Sequence, residues 1–222
     1  MELISIKTTY LTLFFFVMGG AVSAQDMNRV KNEVNKYENE IHEKLLNKYQ
    51  DSILIKTKEI EKRPKDVILY TDRAQFKFYI WDYYGAIDDY TTALSFWPNC
   101  ATLYFLRGDV KFFQKEYMNA ISDFTQAIKI DPNSRPHYFS ERGDSKLELE
   151  DYRGAYLDYS KAIELYSSLK LEQDYALGEI YYERGWIQVY YLENKESGCL
   201  DLSKAGELGY SLAYYDIKNK CN

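Results

Sequence analysis

Four arginines stand at near-regular intervals along the chain: Arg73, Arg107, Arg142 and Arg184. Asp89, Asp123 and Asp158 each follow their own arginine by 16 residues, and Asp201 follows Arg184 by 17. Lys77, Lys111 and Lys146 lie four residues after the first three arginines, one turn on along the same helical face. A repeated cation–carboxylate offset has two chemical readings. The arginines form a ladder for an anion, or each is held by its own aspartate. The second is favoured, because consecutive antiparallel helices bring such residues face to face. The expected pairs are Arg73–Asp89, Arg107–Asp123 and Arg142–Asp158, and pairs of this kind orient helices more than they stabilise them.

Catalytic and metal-binding signals are poor. The two histidines, His42 and His137, lie far apart, and His42-Glu43 opens an HExxH-like string in which Leu46 replaces the second His. There is no Gly-x-Ser-x-Gly, phosphate-binding loop or Cys-x-x-Cys. Arg-Gly-Asp occurs at 107–109 and 142–144, inside helices with the arginine turned inward, so it does not read as an adhesion motif. The many Asp and Glu read as solvated helix faces. The chain is therefore expected to be a non-enzyme with no cofactor and no metal. A net charge of −6 argues against a nucleic-acid partner.

The elements that position these residues are best seen at 101–134. Leu103, Tyr104, Leu106, Val110 and Phe113 recur at helical steps. Gly108 sits inside that helix, where it costs about 1 kcal/mol against Ala, so a second helix must approach closely there. That second helix starts near Tyr117 and carries Ala120, Phe124, Ala127 and Ile128 on its apolar face; Asp131-Pro132-Asn133 stops it. Pro64, Pro98 and Pro132 are spaced by 34 residues, so the unit repeats. Hydrophobic content of 46% with 28% charged residues excludes a disordered chain, and the 23 tyrosines fit repeated aromatic packing positions.

Through Tyr104, Gly108, Ala120, Phe124, Ala127 and Pro132, residues 101–134 resemble a tetratricopeptide repeat (TPR). Arg107 and Lys111 replace the Leu and Tyr usual in that family, and the replacements recur in the neighbouring repeats. The resemblance implies an all-α fold, a right-handed TPR superhelix (α-solenoid) of antiparallel helix pairs. It assigns repeats to 67–100, 101–134, 136–169 and 178–210, with a capping helix at 211–222. Residues 25–66 are a helical cap or a degenerate repeat, with Glu40 and Ser52 at the signature positions.

The resemblance also implies which residues line the concave groove. They are Thr71, Gln75, Phe78 and Tyr79; then Phe105, Asp109, Phe112 and Phe113; then His137, Ser140, Asp144, Leu147 and Glu148; then Tyr182, Trp186, Val189 and Tyr190. Aromatics dominate, and Phe78, Phe112, Phe113 and Trp186 are expected to share the surface with ring area exposed. Thr71, Gln75, Thr102 and Leu106 do not supply the carboxylate clamp of chaperone-tail TPR domains. The implied function is a scaffold for a peptide or protein segment in this groove. The alternative is an assembly module whose groove is filled by residues 26–62 and which oligomerises or joins a larger envelope complex.

Residues 1–24 read as a secretory signal: Lys7, an apolar run from Leu11 to Met18, and Val22-Ser23-Ala24 before Gln25. The mature chain is then exported, periplasmic or secreted, with no membrane span. In such a compartment disulfides persist. Cys199 and Cys221 lie ten residues before and twelve after the turn at Gly209. The arms of that hairpin are roughly 15 and 18 Å long. Helices about 8–10 Å apart leave facing Cα atoms about 4–5 Å apart, which is bridging range. A Cys199–Cys221 disulfide is expected, in competition with two separate thiols, and Cys100 is expected free.

Overall fold

The computed structural model describes residues 24–133, 135–171 and 175–221. The expected signal segment lies outside these apart from Ala24. Every regular element among the described residues is a helix. The chain divides into two units, Met1–Ile55 and Lys56–Asn222. The first unit is helical from Ala24, the start of α1 (Ala24–Lys62). That helix is uninterrupted, so residues 25–66 do not form a two-helix repeat.

In the second unit four helix pairs follow the last turns of α1. They are α2 (Val67–Tyr79) with α3 (Tyr83–Phe96), α4 (Ala101–Phe113) with α5 (Tyr117–Ile130), α6 (His137–Leu147) with α7 (Tyr152–Ser168), and α8 (Tyr175–Tyr190) with α9 (Lys195–Glu207). Each helix packs on its sequence neighbour, and α4 also touches α6, which sets the first helices of successive pairs on one side of the array. Local chemistry explains the boundaries. Asp66, Asp82 and Asp151 cap α2, α3 and α7 by accepting from the amides of Ile68, Gly85 and Gly154. Trp81, Lys115, Glu150 and Glu193 take left-handed φ of 53–64° and turn the chain between the helices of each pair.

The core is a row of small residues facing large ones. Ala74 and Ala86 lie against Tyr90, all buried. At Gly108 an added Cβ would lie 2.7 Å from the Phe124 ring, and at Gly143 it would lie 2.9 Å from the Tyr159 ring. Burying an aromatic ring of this size contributes about 2–3 kcal/mol, so the close approach that glycine permits is stabilising overall. Helix α7 has 17 residues against 14 in α3 and α5, and α8 starts at Tyr175, three residues ahead of the expected repeat boundary.

The C-terminal cap, α10 (Ala213–Asp216), continues in a wider turn, Ile217–Cys221. Ala213 and Tyr210 pack with Ala205, and a disulfide joins Cys199 to Cys221 across Cα atoms 5.6 Å apart. Cys100 is a free thiol.

Candidate functional site

The arginine ladder is closed on itself. In all four pairs the guanidinium grips both oxygens of its aspartate, with bonds of 2.6–2.9 Å: Arg73–Asp89, Arg107–Asp123, Arg142–Asp158 and Arg184–Asp201. Lys77, Lys111 and Lys146 add a second cation to the first three aspartates at 2.7–2.9 Å. In the fourth pair Gln188 stands in for the lysine and donates to Asp201 at 2.7 Å. The remaining guanidinium nitrogen reaches back to the preceding pair. It donates to Thr57, Thr91, Thr125 and Ser160 in turn, so the last turns of α1 meet α2 as α3 meets α4. Each guanidinium also lies 5.5–5.6 Å from the ring centre three residues earlier, Tyr70, Tyr104, Phe139 or Tyr181. With every edge and face engaged, these arginines join helices and repeats and offer nothing to an anion.

The aromatic candidates fall into separate groups. Phe78 and Phe113 meet edge on with ring centres 5.1 Å apart, Phe112 meets Phe113 at 6.0 Å, and Tyr117 extends the row. Phe113 is 57% exposed, while Phe78 and Phe112 are half-buried. Gln75 donates to the Tyr79 hydroxyl beside them. Phe105 lies between Phe124 and Tyr138, where it packs one repeat onto the next. Trp186 belongs to a second group with Tyr190 and Tyr191. Tyr191 stacks flat on Tyr152, with ring centres 3.7 Å apart. Tyr182 and Tyr190 are tied to the cap, both donating to the buried Asp216, at 3.0 and 2.7 Å. That bond pushes the Tyr190 hydroxyl up to about 12. His137 turns to the Tyr166 ring and lines a separate cavity of about 680 Å3 with Cys100 and Arg135.

Between these aromatic groups runs a set of carboxylates that composition made look like solvated surface. Glu141, Asp144 and Glu148 share one face of α6, Glu179 and Glu183 one face of α8, and Asp109 lies on α4. Asp109, Glu141, Asp144 and Glu183 are half-buried rather than exposed. Burial pushes Asp109 up to about 7 and Asp144 up to about 6. Burial, with repulsion from Asp144 and other carboxylates, pushes Glu141 up to about 8 and Glu183 up to about 7. Tyr159 donates to Asp144 at 2.6 Å, and one Asp109 oxygen is buried with no partner. The ion pairs among the described residues involve none of these six carboxylates. Nor, among the described residues, do three metal-ligating side chains converge on one point.

The groove positions taken from the repeat pattern included Asp109 and Asp144 but not Glu141, Glu179 or Glu183. The signal was the helical spacing 141, 144, 148 on α6 and 179, 183 on α8. It marks a single face, but spacing alone does not say that the face points inward. At the α8 end of this face a cavity of about 500 Å3 is lined by Leu147, Glu148, Glu150, Tyr152, Tyr182, Glu183 and Trp186.

Comparison with known proteins agrees with this architecture. Residues 101–134 match the family model described as tetratricopeptide repeat. A comparison with curated protein sequences finds no match. Among solved structures, MamA superposes over 88% of this chain and 100% of its own with a TM-score of 0.65 and 16% identity. MamA from Desulfovibrio magneticus RS-1 covers 79% of this chain and 95% of its own, at 0.64 and 15%. BtubC from P. vanneervenii covers 77% and 74%, at 0.62 and 15%. At these identities the likeness is one of fold, and the fold is a tetratricopeptide-repeat solenoid.

Proposed function

We propose that this tetratricopeptide-repeat chain is a non-enzymatic scaffold that binds a peptide or protein segment along the face formed by α2, α4, α6 and α8. The observation that carries the reading is the contrast between two sets of polar groups. The arginine ladder is satisfied within the protein, whereas the half-buried Asp109, Glu141, Asp144 and Glu183 of α4, α6 and α8 form no ion pair among the described residues, and the exposed Phe113 ring lies one turn beyond Asp109 on α4. Aromatic rings with a few convergent polar groups are what peptide-binding surfaces use. We infer also that it works after export, which the N-terminal sequence pattern and the Cys199–Cys221 disulfide support.

Selection of binders from a random peptide library displayed on phage tests the groove reading. Enriched peptides should lose binding to Phe113→Ala and Trp186→Ala and keep it with Met118→Ala, whose side chain is exposed on α5. Failure to enrich any peptide, or binding indifferent to the first two changes, refutes it. N-terminal sequencing of protein recovered from outside the cytosol should begin at Gln25.

A further inference from the structure

The cavity at the start of α7 and the middle of α8 has a wall chemistry of its own. Tyr152, Tyr182 and Trp186 give it aromatic walls, and Glu148, Glu150 and Glu183 give it carboxylates. Among the described residues no lysine or arginine lines it. Three basic residues adjoin lining residues in sequence: Lys146 is engaged by Asp158 at 2.7 Å and by the Gly154 carbonyl, Arg184 is gripped by Asp201, and Arg153 is exposed and is not part of the lining. The walls are held in place. Tyr191 stacks on Tyr152 and touches Trp186, and the Tyr182 hydroxyl is fixed by Asp216. Glu150 is set at the turn by its left-handed φ of 60°.

Aromatic faces attract cations through the ring quadrupole, and carboxylates at the rim add charge-assisted hydrogen bonds. A metal ion would want a tight shell of oxygens; these walls are half carbon. A volume of about 500 Å3 is within the range of small-ligand sites and takes a flat polar group with its aliphatic stem. Among cationic side chains, arginine suits this combination better than lysine. Its guanidinium is planar, stacks on aromatic faces and presents several donors in one plane.

Resting on the groove reading above, we propose that this cavity receives the guanidinium of an arginine in the bound segment, stacked against Trp186 and Tyr152 and hydrogen-bonded to Glu183 and Glu150. The held segment is thereby a basic one. The charge of the face agrees: six carboxylates without a cation, against a ladder in which every cation is already used. Burial also leaves Glu183 with a raised pKa, a cost that an incoming guanidinium would relieve.

The test uses N-acetyl-arginine amide as probe, with the citrulline analogue as its uncharged match in shape and the lysine analogue as its non-planar match in charge. The readout is the indole N–H signal of Trp186 in the nitrogen-15 NMR spectrum of the full mature chain, assigned by loss in Trp186→Phe. The arginine probe should shift that signal saturably and bind about tenfold more tightly than the citrulline probe, a ratio typical of a lost charged hydrogen bond. Glu183→Gln should weaken the arginine probe by a similar factor and leave the citrulline probe unchanged. Equal shifts from arginine and citrulline, or a lysine probe binding as well as arginine, overturn the assignment. So does silence of the signal, while library peptides lacking arginine that bind the groove would leave the peptide reading standing without this one.

Discussion

The fourth repeat gives the sharpest stability test. Here the glycine of α8, Gly185, faces a second glycine, Gly198 of α9, instead of the alanine found in the other pairs. A Cβ added at Gly185 would lie 2.8 Å from the Gly198 carbonyl oxygen, 3.0 Å from the Asp201 Cβ and 3.1 Å from the Leu202 nitrogen. Those neighbours are backbone or next to it, so relief requires α9 to move as a body. Asp201 resists, because it is held by Arg184 and Gln188. Gly108→Ala is the control. The three atoms nearest its added Cβ all belong to the Phe124 ring, and the first repeat already carries Ala74 at that place beside Tyr90. An alanine in a helix interior gains about 1 kcal/mol over glycine, and overpacking typically costs about 1–3 kcal/mol and occasionally more. For Gly108→Ala the two nearly cancel, leaving a net loss of about 0–1.5 kcal/mol. For Gly185→Ala the upper end applies, with a net loss of about 2–4 kcal/mol. Urea unfolding followed by tryptophan fluorescence reads the difference, with Trp186 reporting from α8 itself. Adding Gly198→Ala to Gly185→Ala should cost less than the sum, since the helices are already apart. Wild-type stability in Gly185→Ala, or equal losses in Gly185→Ala and Gly108→Ala, would refute the reasoning.

Asp123→Asn leaves Arg107 and Lys111 half-buried without their anion; because both keep some water contact, the loss should be about 2–4 kcal/mol in urea unfolding, and a loss under about 0.5 kcal/mol contradicts the ladder's role. Reducing the Cys199–Cys221 disulfide, which spans 22 residues, should cost the cap about 3 kcal/mol in the chain-entropy model. Hydrogen exchange should then speed up from Ala213 to Cys221 with α4 and α5 unchanged, and uniform acceleration would count against a local staple. The pH dependence follows from the raised carboxylates. Asp109, Glu141, Asp144 and Glu183 prefer the neutral form when folded, so their stabilisation is full below the unfolded value of about 4 and is lost as pH rises through 6–8. Thermal midpoints should fall between about pH 5 and pH 9, and Glu141→Gln should flatten that slope; a midpoint that climbs over this range contradicts the assignment.

Much of this architecture is local and therefore legible in sequence. Proline spacing, small residues opposite aromatics and aspartate caps act within one helix pair, and each repeat states them again. The Arg–Asp offset of 16 residues is of the same kind, since a hairpin of fixed length brings the two positions together. So is the Cys199–Cys221 spacing about Gly209, where two arms of similar length meet. Other features depend on how the pairs stack. Phe105 has groove spacing, and its half-buried ring also packs on Tyr138 of the next repeat. Tyr182 and Tyr190 have groove spacing, yet the cap supplies Asp216 34 and 26 residues later and claims their hydroxyls. The carboxylates of α4, α6 and α8 read singly as solvated. Part of the repulsion is local, since Glu141, Asp144 and Glu148 share α6, but stacking adds the burial, and with it repulsion between repeats such as Asp144 on Glu183 and Asp109 on Glu141. Helical spacing tells which residues share a face; the surroundings of that face, and so its charge, are set by the superposition of repeats.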